Sequence, residues 1–317
     1  KISLFCNVKK DSVIPALNAQ SIYEVPLLYS KFGLDKILLK HLNYKQNKYP
    51  LNLKPWNKLI KKINSQKKII TVGVVGKYTN LKDSYKSLNE ALIHGGIENS
   101  TRVNINWINA EKLNKNNLKL HLSKCNGILV PGGFGLRGIG GKIEAIRFAR
   151  ENNIPYFGIC LGMQLAVIEI ARNVLNLKNA NSSEFNSSSK SVVGLMTEWT
   201  KGKKIEKRNL NSDKGGTMRL GSYKAILKKN SKIISIYKKN VIFERHRHRY
   251  EVNSKFISKF NNKGYVFSGM SPDGVLPEVL ESKLHPWFIG VQYHPELKSR
   301  PLSPHPLFVS FIKNCIK

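Results

Sequence analysis

The sequence predicts an α/β fold with a central, mostly parallel sheet flanked by helices. Three observations predict it. Ile69–Val75, Gly127–Val130 and Ile154–Ile159 are near-continuous apolar runs, the composition of strands buried on both faces. Segments with helical apolar spacing follow them in alternation, as a parallel sheet with crossover helices requires. The runs also exit into glycine-bearing turns: Gly76-Lys77-Tyr78, Pro131-Gly132-Gly133 and Gly158-Ile159-Cys160-Leu161-Gly162.

In order along the chain, residues 1–43 mix short apolar runs with turns. Ile2, Leu4 and Phe5 read as part of a strand, which suggests that the sequence is a piece of a longer chain. An amphipathic stretch, Ile37-Leu38-Leu39 to Leu42, closes the segment. Residues 44–66 carry two prolines and many polar side chains, and read as a linker. A domain spanning 67–317 follows. Its first strand leads to a helix from about Asp83 to His94, with Tyr85, Leu88 and Leu92 on one face and Gly95-Gly96 as its stop. Val103, Ile105 and Trp107 alternate as a strand. Helices are expected over about Lys142–Asn152 and Leu161–Asn176. Residues 178–190 and 201–214 are rich in Ser, Asn and Lys and read as loops. Short strands are expected at Lys224–Leu227, His248–Val252, Tyr265–Gly269, Val275–Leu280 and Phe288–Tyr293, either extending the sheet or forming a second one.

The chain has 317 residues, 41% of them hydrophobic, which is enough for one large domain with an appendage. No apolar run approaches the roughly 20 residues that cross a bilayer, so no membrane partner is expected. Neither a cleavable leader nor paired cysteine spacing is present, so a reduced, cytoplasmic setting is expected. The formal charge of +33 is large. Its lysines lie in loops such as Lys61-Lys62, Lys203-Lys204 and Lys238-Lys239, without a basic stripe interleaved with aromatics. A solvated, lysine-biased surface is therefore preferred to a nucleic-acid-binding one.

The chemistry concentrates in three places. Cys160 stands between two glycines where a strand gives way to a helix, the arrangement of a nucleophile elbow. A helix N-terminus there favours the thiolate, and the Leu161 amide can donate to a developing oxyanion. Cys6, Cys125 and Cys315 have no such frame. His294 and Glu296 lie at the end of a strand, two residues apart, and suit a base with its orienting carboxylate. Pro131-Gly132-Gly133-Phe134-Gly135 lacks the spacing and Gly-Lys-Ser/Thr ending of a phosphate loop, and suits an oxyanion hole better. Alternation in Arg245-His246-Arg247-His248-Arg249 puts the arginines on one face and the histidines on the other. The two histidines lack a third ligand, so no metal is expected.

The elbow, the Pro-Gly-Gly turn and the His-Pro-Glu end together resemble the class I glutamine amidotransferases. Further segments resemble the CTP synthase family: Asn179–Phe185, Gly215–Gly221, Glu244–Asn253, Ser21–Pro26 and Phe5–Val8. The resemblance implies a flavodoxin-like fold and a Cys160–His294–Glu296 triad that hydrolyses glutamine. It implies an oxyanion hole at Gly133 and Leu161, and glutamine contacts from Gly132, Phe134, Gln164, Glu184 and Arg249. Glu184 and Gln164 would meet the amino end, and Arg249 the carboxylate. Residues 1–43 would be the end of a synthetase domain, the partner in which ammonia aminates UTP after activation by ATP with Mg. The resemblance also implies a homotetramer for the full-length protein, and GTP activation near a lid that includes Arg137 and Gly138. No cofactor is expected for this segment itself.

The sequence departs from the family at Asn18-Ala19, where Asp-Val is usual, at Gly140, where many relatives carry glutamate, and at Leu297, where phenylalanine is usual. Two competing readings are a basic nucleic-acid-binding module on an inactive fold and a stand-alone hydrolase of γ-glutamyl substrates. Retention of Cys160, His294 and Glu296 argues against the first. The synthetase-like segment argues against the second.

Overall fold

In the computed structural model the apolar runs become neighbouring strands of one nine-stranded sheet. The structure describes residues 1–44, 51–77, 82–186, 191–195, 198–201, 204–207 and 218–316. Two compact units are distinguished: Lys1–Lys67 with Pro301–Ser303, and Lys68–Arg300 with the chain from Pro304.

The first unit is helical: α1 (Ile2–Phe5), α2 (Val25–Lys31), α3 (Leu34–His41) and α4 (Lys54–Asn64). The strand expected at Ile2 is instead a single helical turn, closed by the Phe5 amide on the Lys1 carbonyl at 2.9 Å. A strand needs a neighbour to accept its backbone bonds, and no strand forms among the described residues of this unit. The linker expectation also needs correction, because 54–64 is helical and buries Leu59. Pro55 falls in the first turn, where a missing N–H costs nothing. Residues 45–50, with the other proline, lie outside the described residues. The Ser21 hydroxyl caps the turn at Ile22–Glu24 by accepting from the Tyr23 amide, and Tyr23 is buried.

The second unit carries β1 (Lys68–Gly76), α5 (Lys86–Glu98), β2 (Thr101–Asn109), α6 (Leu118–Leu122), β3 (Gly127–Val130), α7 (Ile139–Glu151), β4 (Tyr156–Ile159) and α8 (Leu161–Asn173). There follow β5 (Asn181–Ser182), β6 (Ser191–Leu195), β7 (Glu198–Lys201), β8 (Lys204–Lys207), β9 (Arg219–Leu227), α9 (Lys232–Tyr237), β10 (Val241–His248) and β11 (Tyr250–Val252). The chain ends with α10 (Ile257–Asn261), β12 (Tyr265–Met270), β13 (Pro277–Ser282), β14 (Phe288–Val291) and α11 (Pro306–Cys315).

Half of the sheet is parallel, in the spatial order β2-β1-β3-β4-β14. This is the doubly wound flavodoxin order, which places ligands at the carboxyl ends of the strands. Beyond β14 the sheet continues antiparallel through β13, β12, β9 and β10. The later strands therefore extend the main sheet, while β11 joins a small one with β5 and β6. The strand expected at His248–Val252 is divided between the two sheets at Arg249. The loop expected over 201–214 is a strand at 204–207, paired with β7. Residues 208–214 lie outside the described residues.

Apolar side chains fill both faces of the sheet. On one face β3 and β4 pack under α7 and α8, whose residues from Leu161 to Ala171 are all buried. On the other, β1, β4 and β14 pack against α5 and α11. Gly95 and Gly96 do not stop α5, which runs on to Glu98. They serve close approach instead. A Cβ at Gly95 would lie 2.8 Å from the Phe308 carbonyl oxygen, and one at Gly96 would lie 2.6 Å from that of Thr101.

Candidate active site

Cys160 joins β4 to α8 with φ 51° and ψ −104°, outside the ordinary wells of an L-residue. Strain of this kind costs about 1–3 kcal/mol and persists only where neighbours enforce it. Here the Cys160 amide donates to the Val291 carbonyl at 2.7 Å, and the Cys160 carbonyl accepts from the Gln164 amide at 3.2 Å. The flanking glycines are sterically required. A Cβ at Gly162 would lie 2.1 Å from the Val130 carbonyl oxygen, and one at Gly158 would lie 2.8 Å from the Gly162 carbonyl carbon. The turn thus seats α8 directly on the end of β3. It leaves the thiol buried at the N-terminus of a 13-residue helix, where the dipole favours a negative charge.

His294 follows β14, and its amide donates to the Arg245 carbonyl at 2.8 Å. Its Nδ1 donates to Glu296 Oε1 at 2.7 Å, which orients the ring with Nε2 turned away from the carboxylate. Nε2 is buried, and Cys160 is the ring's other polar partner. Burial works to lower the imidazole pKa, but the Cys160 thiolate and the Glu296 carboxylate outweigh it and raise it to about 11. Cys160, His294 and Glu296 line one cleft of about 410 Å³, together with Gly132, Gly133 and Phe134 from the exit of β3. The structure therefore brings the three predicted segments together at the carboxyl ends of β3, β4 and β14.

The glycine-rich exit lies tightly against two of these side chains. A Cβ on Gly132 would lie 2.8 Å from His294 Cε1 and 3.4 Å from Cys160 Cβ. One on Gly133 would touch the Leu161 side chain at 3.6 Å. Lys77, buried at the end of β1, holds the outer part of the turn by donating to the Phe134 and Gly135 carbonyls. Burial lowers its pKa, with partial relief from Glu184. Glu184 Oε1 accepts from the Gly135 amide at 2.8 Å, so this predicted residue borders the same turn.

Gln164, one turn into α8, is buried and donates from Nε2 to the Tyr250 carbonyl at 2.8 Å and to Gln292 Oε1 at 3.1 Å. Arg249 lies between β10 and β11, half-buried, with a buried Nε that closes no hydrogen bond. Tyr250 beside it feels both predicted charges: burial and Glu184 raise its pKa, and Arg249 lowers it. Arg137 and Gly138 do not line the cysteine cleft. Arg137 pairs bidentately with Glu111 at 2.6 and 3.0 Å, and Gly138 begins α7 in the left-handed region at φ 69°.

Burial alternates along β10, with Glu244, His246 and His248 inward and Arg245 and Arg247 outward. The two histidines hydrogen-bond each other at 2.9 Å, and burial holds both pKa values well below normal. Among the described residues no group of three or more His, Cys, Asp or Glu side chains could hold a metal. Nor is any helix among them long and apolar enough to cross a membrane.

Sequence reasoning missed two groups beside the thiol. Gln292 is two residues before His294, a spacing that places both on one side of a strand end. Lys142 sits among the buried positions of α7 and has no outward signal. It is fully buried, and a Cβ on Gly133 would lie 3.9 Å from its Nζ.

The model of the class I glutamine amidotransferases matches residues 80–314, and that of the CTP synthase N-terminus matches residues 1–44. The chain belongs to the class I glutamine amidotransferase family. Within that family its similarity is to CTP synthases along its whole length. It is 57% identical to CTP synthase of Rhizobium johnstonii over 99% of this chain, and 58% identical to that of Pelagibacter ubique over 99%. The chain spans 58% of the length of each of these relatives. The solved glutaminase domain of Trypanosoma brucei CTPS, with bound acivicin, is 37% identical and superposes with a TM-score of 0.70. That likeness covers 78% of this chain and 93% of the domain.

Proposed function

We propose that the cleft hydrolyses glutamine through Cys160, His294 and Glu296, and that the ammonia serves ATP-dependent amination of UTP to CTP in the longer protein. The observation that carries this reading is Cys160 held strained at a helix N-terminus, in one cleft with an imidazole fixed 2.7 Å from Glu296.

Glutamine is a zwitterion, so its ends call for an anion and a cation. Glu184 and the Gln164 Oε1 receive its ammonium, and Arg249 grips its carboxylate. Phe134 and Gly132 flank the side chain. The Cys160 sulfur attacks the side-chain amide carbon, forming a C–S bond while the carbonyl electron pair moves onto oxygen. The Gly133 and Leu161 amides hold that oxyanion, each such donor contributing about 3 kcal/mol. His294, as imidazolium, gives its proton to the amide nitrogen, the C–N bond breaks and ammonia leaves. Water then attacks the thioester, His294 takes the water's proton, and the C–S bond breaks to release glutamate. Glu296 keeps the ring oriented and supports its charged form throughout.

The synthetase domain would be the covalent partner that consumes the ammonia, with ATP and Mg at its own site. A homotetramer and GTP activation through the Arg137–Gly138 segment belong to the same reading. Ammonia release from glutamine, measured for the parent and Cys160→Ala with and without GTP, tests it. Release that disappears in the variant is expected. Equal release from both proteins would sink the cysteine mechanism. If the parent releases little, covalent labelling by acivicin at Cys160 gives the same decision.

A further inference from the structure

Gln292 is completely buried just past β14, with its backbone amide held by the Glu278 carbonyl at 2.9 Å. Its side chain reaches the nucleophile, with Nε2 3.8 Å from Cys160 Sγ. The two ends of an amide side chain look alike, so which end faces the sulfur must be settled by the bonds around it. Here a backbone carbonyl settles it. The Tyr250 oxygen can only accept, so the Gln164 terminus 2.8 Å from it is the NH2 group. The Gln292 atom 3.1 Å from that same NH2 must then be the oxygen. The remaining end of Gln292, the one that meets the sulfur, is an N–H donor. Reversing either amide would set donor against donor or acceptor against acceptor inside a buried site.

The sulfur therefore has two kinds of neighbour. The Arg247 carbonyl, 3.9 Å away, can accept only from the protonated thiol. The Gln292 N–H favours the thiolate, since a hydrogen bond to the charged form stabilises that form. A buried sulfur has little water to perform this task.

We propose that Gln292 is the hydrogen-bond donor that holds Cys160 as a thiolate, its orientation set by a fixed relay from the Tyr250 carbonyl through Gln164. This rests on Cys160 being the nucleophile, but not on the identity of the substrate. The relay gives Gln164 two tasks. Both hydrogens of its Nε2 are engaged inward, so its Oε1 is the end left for a substrate ammonium. An ammonium on Oε1 polarises the amide and strengthens the donors behind it.

The test is the pH profile of Cys160 alkylation by iodoacetamide, read peptide by peptide by mass spectrometry without glutamine. His294 and Lys142 also face the Cys160 charge, and both are kept unchanged. Gln292→Met, which retains the volume, is expected to move the alkylation midpoint up by about one pH unit. Ammonia release at neutral pH should fall by about tenfold, more in kcat than in KM. Gln292→Asn withdraws the donor by one methylene and should shift the midpoint the same way, so it carries the test if the methionine variant does not fold. A folded variant with an unshifted midpoint overturns the role of Gln292 and leaves the glutaminase reading standing. A parent Cys160 that no pH opens to alkylation overturns both.

Discussion

A methyl group on Gly132 would lie 2.8 Å from Cε1 of His294, closer than a real Cβ contact allows. The β3 exit therefore lies against both His294 and Cys160 only because this residue has no side chain. Gly132→Ala should push the imidazole off its line, because the new methyl and His294 Cε1 cannot both keep their places. Glutamine turnover should drop by about 10²-fold or more, the usual consequence of misplacing a reacting group by about 1 Å. Ammonia release with a parallel thermal melt checks this. Parental turnover in a folded alanine variant would mean that the ring has room to move.

Glu296 is one cause of the raised His294 pKa, so its removal has a defined sign. In Glu296→Gln the imidazolium loses a partner and deprotonates at lower pH. The alkaline limb of the pH–rate profile should move down, and turnover should fall by about 10²–10⁴-fold, the range for catalytic triads that lose the orienting carboxylate. Stability follows the same sign. A histidine raised from 6.5 to about 11 stabilises the fold fully below 6.5, and that support is lost as pH rises through the folded value. The parent's stability advantage over the variant should therefore shrink on the alkaline side, as denaturant titrations at several pH values would show. An unmoved alkaline limb would count against the pairing.

The elbow and the His-x-Glu end were legible because each is a local pattern whose chemistry lies within a few residues of chain. The parallel half of the sheet was legible for a related reason, since strands such as β1 are buried on both faces and appear as unbroken apolar runs. The Gln292–Cys160 contact joins residues 132 apart, and the two-residue spacing of Gln292 from His294 gives its side of the strand but not its partner. Lys142 looked like one lysine among many, because only packing shows that its side chain turns inward. The β10–β11 segment was half legible: its alternation gave the inward histidines, but nothing in that period showed that Arg249 divides two sheets. Gly95 and Gly96 carry a stop signal in sequence terms. Contact with the Phe308 and Thr101 carbonyls overrides it.

Two arginine–glutamate pairs with similar geometry should behave differently. Arg150 holds Glu169 bidentately at 2.8–3.2 Å, and the carboxylate is fully buried beneath it. Arg150→Ala leaves that charge buried, with the Asn173 amide as its remaining hydrogen-bond donor among the described residues, and should cost about 3–5 kcal/mol. Arg137 and Glu111 meet at 2.6 Å but stand in solvent, where screening cancels most of the attraction. Arg137→Ala should leave the urea midpoint where it is. Equal losses in the two variants would show that burial does not separate them.

Lys142 makes a pH prediction with the opposite sign to His294. Burial, with repulsion from Lys77, lowers its pKa from 10.5 to about 7 against the pull of Cys160 and Glu184. The unfolded chain therefore binds the extra proton over that interval and the folded chain does not. Below pH 7 both states are protonated and the fold bears the whole cost of a buried ammonium, on the order of 5 kcal/mol. The cost declines as pH rises through the interval and is gone near 10.5. Lys142→Met removes the charge at similar volume, so it should be more stable than the parent below pH 7, with the gap closing toward pH 10.5. Denaturant titrations of both proteins across that range measure it. A gap that stays constant with pH would mean that the difference arises from packing, and that the ammonium is satisfied where it lies.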